Sequence, residues 1–116
     1  MATSAAATFA EWTAVSETND LRVYIDFKEI RKDGNLRRVW ELQNMKQRNK
    51  LGAMSSRARV EYDCKNERTR ILSLSLHSES MTGGEVLFSG GADPNGWAES
   101  PPGTPVAIIM KIVCSN

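Results

Sequence analysis

Apolar and polar residues alternate with a period of two through most of this chain, the spacing that puts successive side chains on opposite faces of a strand. Trp12 to Ser16 is short and β-prone, and Thr18-Asn19-Asp20 reads as the turn that follows it. From Leu21 to Asp26, Leu21, Val23 and Ile25 fall on one side and Arg22, Tyr24 and Asp26 on the other. Lys32-Asp33-Gly34-Asn35 supplies a turn, because glycine and asparagine accept positive φ. In the strand Leu36 to Asn44, Leu36, Arg38, Trp40 and Leu42 share one side, and Arg37, Val39 and Glu41 the other. Residues 45–54 are polar and basic, broken by Gly52, and read as a flexible loop. Ser56 to Cys64 sets Val60, Tyr62 and Cys64 on one face; Lys65-Asn66-Glu67 turns the chain. Arg68 to Ser78 is the clearest strand, with Leu72, Leu74 and Leu76 opposed to Ser73, Ser75 and His77. Glu85 to Ser89 is the sixth, between the turn or bulge glycines Gly83-Gly84 and Gly90-Gly91.

The period changes after Pro101-Pro102-Gly103. Thr104 suits a helix N-cap and Pro105 the first helical position. Val106, Ile109, Met110 and Val113 recur at helical spacing, with Ile108 and Ile112 as a second apolar row, which predicts a broadly buried helix. A final strand is the competing reading, since valine and isoleucine favour strands. Six strands joined mostly by short turns predict an α+β fold: an antiparallel meander sheet of about six strands, with one C-terminal helix packed on one face. At 116 residues the chain fits one domain, expected over residues 12–116, with residues 1–11 as a disordered stub.

Cys64 and Cys114 are the only cysteines. A disulfide between them would staple the tail to the sheet and belong outside the reducing cytosol; two free thiols, or pairing between chains, are the alternatives. No stretch approaches the roughly 18–20 apolar residues that span a membrane. The first eight residues lack the basic start and apolar core of a signal peptide. They suit the remnant left behind a small-residue cleavage site, with Met1 added for expression, or a tag.

Catalytic chemistry is thinly represented, and neither enzymatic activity, a cofactor nor a metal is expected. The single histidine, His77, neighbours Ser75, Ser78, Ser80 and Glu79, but residues this close along one strand do not converge into a triad. A solvated strand-end histidine is the expectation. A Cys64–His77 thiolate pair and the disulfide exclude each other. Glu61 and Asp63 share a strand face and make an incomplete calcium shell; partnership with Arg57, Arg59, Arg68 or Arg70 across strands fits them better. The paired glycines match no phosphate-loop spacing.

Charge is nearly balanced overall, at +1, but unevenly spread. Residues 28–70 hold thirteen of the fifteen lysines and arginines with six acids, a net +7 against −6 elsewhere. Arg37, Arg57, Arg59, Arg68 and Arg70 on neighbouring strands, with Lys46, Arg48 and Lys50 in the loop, make a candidate partner-binding patch. Its partner would be an extracellular-matrix or envelope protein, or an anionic glycan. A solvated face laced with ion pairs is the plainer alternative. Nucleic acid is disfavoured, because the stretch offers only Trp40 and Tyr62 for base stacking. Trp40 is expected to face the core with Leu42, and Trp12 and Trp97 to serve as core or loop anchors.

The ordered set Trp12, Tyr24-Ile25-Asp26, Ile30-Arg31, Gly34-Asn35, Val39-Trp40-Glu41-Leu42, Tyr62-Asp63-Cys64, Arg68-Thr69-Arg70, Gly84, Trp97, Pro102-Gly103-Thr104 and Cys114 resembles the bacterial surface-adhesin protein E family. Thr104 stands where that family often has serine. The resemblance implies a bent antiparallel sheet with a C-terminal helix held by a disulfide, and export to the periplasm or cell surface. The family's best-known member is an adhesin for host matrix and plasma proteins, and the family shares no catalytic motif. Three function classes therefore stand: an exported macromolecule-binding module, a small-ligand or enzymatic pocket between sheet and helix, and an envelope structural protein that dimerises through exposed edge strands.

Overall fold

The computed structural model describes residues 10–91, 93 and 95–115. The stub expected at residues 1–11 falls almost wholly outside them; Glu11 is described, and its backbone N–H donates to Asp26. The strands are β1 (Trp12–Glu17), β2 (Leu21–Asp26), β3 (Arg31–Asp33), β4 (Leu36–Met45), β5 (Ser55–Asp63), β6 (Arg68–His77), β7 (Val86–Gly91) and β8 (Ala98–Glu99), followed by helix α1 (Pro105–Cys114). They form one antiparallel sheet in the order β1-β2-β4-β5-β6-β7, with β3 paired to β4 and β8 to β6. This is the meander expected from the turns, with two short strands added.

Strand register decides which side chains meet the helix. Leu21, Val23 and Ile25 of β2 lie opposite Met45, Gln43 and Glu41 of β4. Val39 in turn pairs with Val60, and Arg37 with Tyr62, so these residues share one face. Ile109, Met110 and Val113 of α1 pack on that face against Val23, Ile25, Val39, Val60 and Tyr62. Thr104 caps the helix by accepting from the Ala107 N–H at 3.3 Å, and Pro105 opens it. Ile108 and Val106 are exposed, so α1 buries a single stripe rather than the broad surface expected from its second apolar row.

Cys64 and Cys114 form the disulfide, with Cα atoms 5.8 Å apart. It joins the residue after β5 to the last residue of α1. Pairing these cysteines closes a loop of 50 residues, which constrains the unfolded chain by roughly 4 kcal/mol on the chain-entropy model.

A β-bulge in β6 determines the opposite face. Arg59 pairs with Ser73 but Val60 with Ile71, so Leu72 is the extra residue. The side chains before the bulge thereby change sides. Arg68 and Arg70 share the face of Ser73 and Ser75, and Ile71 that of Leu74. Without the bulge, both arginines would share the side of Leu74 and Leu76.

The loop at residues 46–54 closes on itself. Asn49 Oδ1 accepts from the Leu51 and Ala53 N–H groups, and Arg48 reaches the Gly52 and Ser78 carbonyls. A 3₁₀ turn at Ser80–Thr82 folds over the ends of β4 and β5, where Met81 N–H donates to Asn44 Oδ1 and Thr82 N–H to Ser55 Oγ. Gly84 makes this return possible: its φ is +72°, and a Cβ there would sit 2.1 Å from Ser78 Oγ.

Candidate functional site

The face away from the helix carries one polar row along each of β5 and β6. On β5 the row runs Arg57, Arg59, Glu61, Asp63; on β6 it runs Ser75, Ser73, Arg70, Arg68, in register with it. Glu61 is buried and accepts from Arg38 at 2.8 Å and from Arg70 at 2.7 Å. Asp63 pairs with Arg68 at 3.0 Å, while the Asn66 amide and N–H close over it. The Asn66 amide bond, helped by the Asn66 backbone and Arg68, holds the Asp63 carboxyl down to about 2. The cross-strand ion pairing anticipated for the two acids is therefore made by Arg38, Arg68 and Arg70.

Arg57 and Arg59 meet serines across the strand instead. Trp40 on β4 lies beneath both, its ring centroid 3.9 Å from the Arg57 guanidinium carbon and 5.4 Å from that of Arg59. Among the described residues no carboxylate pairs with either. Trp40, Arg57, Ser73, Ser75, Ser89 and Gly90 line a shallow trough of about 150 Å³ across this face. Trp40 shares its side with Leu42, as expected, and Leu42 is fully buried. That side is the one turned from the helix, however, and Trp40 is a platform for arginines rather than part of the helix-covered core. Trp97 plays the same part in the connection to α1, 4.3 and 4.5 Å from Arg68 and Arg70.

The remaining candidate residues do not join this strip. Arg37 points to the Tyr62 side and donates to the Gly34 and Leu36 carbonyls. Lys46 pairs with Glu17 at 3.1 Å and Arg48 with Glu79 at 3.1 Å, while Lys50 is exposed in the loop. The continuous patch expected from eight basic residues is thus divided by ion pairs. The missed signal lay in the pairing pattern: one Arg-x-Arg faces Glu-x-Asp, the other Ser-x-Ser.

His77 is buried, not solvated, because β5 and β7 pair on both sides of it at Ser55 and Val86. Burial, with Arg57 nearby, lowers its basicity. Its Nε2 lies 2.8 Å from Ser75 Oγ, but Nδ1 is buried without a partner among the described residues, so no carboxylate orients the ring. On the helix side, buried Glu41 accepts from the Tyr62 hydroxyl. Burial pushes the Glu41 carboxyl up to about 7, against the opposing pull of that hydrogen bond. A second cleft, of about 450 Å³, runs beside the disulfide between Ser100, Pro102, Ile108, Met110 and Cys114. No group of three or more metal-ligating side chains occurs among the described residues, and no helix there is long and apolar enough to cross a membrane.

Residues 12–115 match the sequence model of the family described as surface-adhesin protein E. The fold is similar to solved structures of Haemophilus influenzae protein E. One crystal form gives a TM-score of 0.69 at 16% identity, covering 94% of this chain and 91% of that one. The selenomethionine form gives 0.68 at 17%, covering 94% and 89%. The protein from a non-typeable strain gives 0.65 at 15%, covering 94% and 78%. No significant relative is found among curated protein sequences.

Proposed function

The chain belongs to the surface-adhesin protein E family, and on that premise we propose that it is an exported, adhesin-like binding module that docks a macromolecule through the Trp40–Arg57–Arg59 strip. The observation that carries this reading is the unequal treatment of two like pairs of arginines. Arg68 and Arg70 are paired with Asp63 and Glu61, while Arg57 and Arg59 lie over the Trp40 ring, half-buried and opposed across the β6 side only by hydroxyls. A guanidinium held over the indole face by cation–π attraction makes no hydrogen bond to it and keeps its N–H groups for an anionic partner. The disulfide supports residence outside the cytosol, in the periplasm or at the cell surface. We read residues 12–116 as one domain with a non-enzymatic role.

The test is binding of the oxidised domain to immobilised extracellular-matrix and plasma proteins at low and high salt. We expect salt-sensitive binding that falls at least about tenfold in an Arg57→Ser/Arg59→Ser variant and survives Lys46→Ser/Arg48→Ser. The reverse ranking would overturn the assignment of the strip. A small-ligand role is the second reading, favoured by the cleft beside the disulfide, where Ser100 Oγ is buried without a partner among the described residues. A small molecule that raises the melting temperature and protects α1 amides from exchange would support it.

A further inference from the structure

The open face contains the same construction twice. In each, two arginines at alternate positions of one strand lie over one tryptophan: Arg68 and Arg70 over Trp97, Arg57 and Arg59 over Trp40. In the first, the neighbouring strand presents Glu61 and Asp63, also at alternate positions, directly across from the arginines at 2.7 and 3.0 Å. In the second, the cross-strand positions are Ser73 and Ser75. The fold's own complement to an Arg-x-Arg on tryptophan is therefore an extended acid-x-acid segment.

Resting on the docking strip proposed above, we infer that its ligand is an extended acidic polypeptide segment with carboxylates on alternate residues. Residues two apart on a strand lie roughly 7 Å apart on one face, so an extended chain with acids at every second position matches the arginine spacing. Carboxylate, like phosphate, accepts the planar guanidinium fork at two points, and it is the group the fold itself sets against Arg68 and Arg70. The trough of about 150 Å³ is well below the roughly 300–1,000 Å³ of small-molecule sites, so it suits a side chain of a larger partner. Ser89, across from Ser75 on this face, is the β7 side chain that walls the trough. The 3₁₀ turn at Ser80–Thr82 covers the Asn44–Ser55 end of this face and leaves the strip open.

The experiment is fluorescence anisotropy with labelled threonine-based peptides of equal length and equal number of glutamates, the glutamates spaced two apart in one and three apart in the other, with threonine filling the remainder. Heparin serves as the competing polyanion. The alternate-glutamate peptide should bind the oxidised domain about tenfold more tightly than the other. Binding should be lost in Arg57→Ser/Arg59→Ser. It should also be lost in Ser73→Glu/Ser75→Glu, whose new carboxylates would engage the arginines from across the strand. Thermal melts of both variants report whether the fold is retained. Equal affinity for the two peptides would overturn the inference. So would binding of heparin alone with the same loss in Arg57→Ser/Arg59→Ser, an outcome that makes the ligand a glycan and leaves the strip intact as a docking site. If no probe binds and matrix-protein binding is unchanged in Arg57→Ser/Arg59→Ser, both this inference and the strip fall.

Discussion

Single residues on the two faces answer to different physics. Glu41 sits in an apolar, helix-covered environment, and burial raises its carboxyl from the usual 4.5 to about 7. Between those values the folded chain holds a proton that the unfolded chain has released. Its contribution to stability is therefore fully present below pH 4.5 and is lost as pH rises through 7. We expect Glu41→Gln to remove a fall in stability between pH 5 and pH 8 of at most about 3 kcal/mol, read as the wild-type-minus-variant difference in denaturant melts. A variant with the wild-type pH slope would contradict the burial argument. His77 acts in the opposite sense. Its pKa is depressed by burial, so stability is lost as pH falls below 6.5, and only the difference between variants isolates Glu41. Asp63 contributes stability above pH 3.8 that disappears as pH falls through about 2. Glu41 was not legible as buried in the sequence, because alternation marks which side a residue takes, not which side the helix covers; His77 was not, because its flanking by Ser55 and Val86 follows from strand order and register.

Among the elements, strands and helix followed from local pattern, whereas the faces did not. Period-two alternation located the six long strands, and the Thr104 cap with Pro105 located α1. The sequence pattern could not show the bulge at Leu72, since one extra residue in β6 leaves the alternation of Leu72, Leu74 and Leu76 outwardly intact. That bulge nevertheless places Arg68 and Arg70 beside Ser73 and Ser75, and so builds the polar face. The helix depends on its own attachment. It buries one stripe, and its last residue is tied by the disulfide to the residue after β5. Cys114→Ser should lower stability by roughly 2–4 kcal/mol and reduce helical circular dichroism as the last turn frays. An unchanged melting temperature and spectrum would show that packing alone holds α1.

For the whole molecule, the net +7 of residues 28–70 overstated the free positive surface. Glu17 and Glu79, outside that stretch, neutralise Lys46 and Arg48, and Glu61 and Asp63, within it, take Arg38, Arg68 and Arg70. Across β5 and β6 the arginines left without an acid are therefore Arg57 and Arg59, side by side over Trp40, while Lys32, Lys50 and Lys65 are exposed singly elsewhere. The family and the disulfide were legible because their residues are short, ordered landmarks along the chain. The docking strip was not, because it needs cross-strand register to reveal which arginines lack acids. The most direct measurement is amide chemical-shift mapping of the isotope-labelled, oxidised domain with a partner it retains at low salt. Perturbations centred on Arg57, Arg59, Ser73 and Ser75 are expected; perturbations confined to the Lys46–Lys50 loop or to the cleft beside Cys114 would contradict this account.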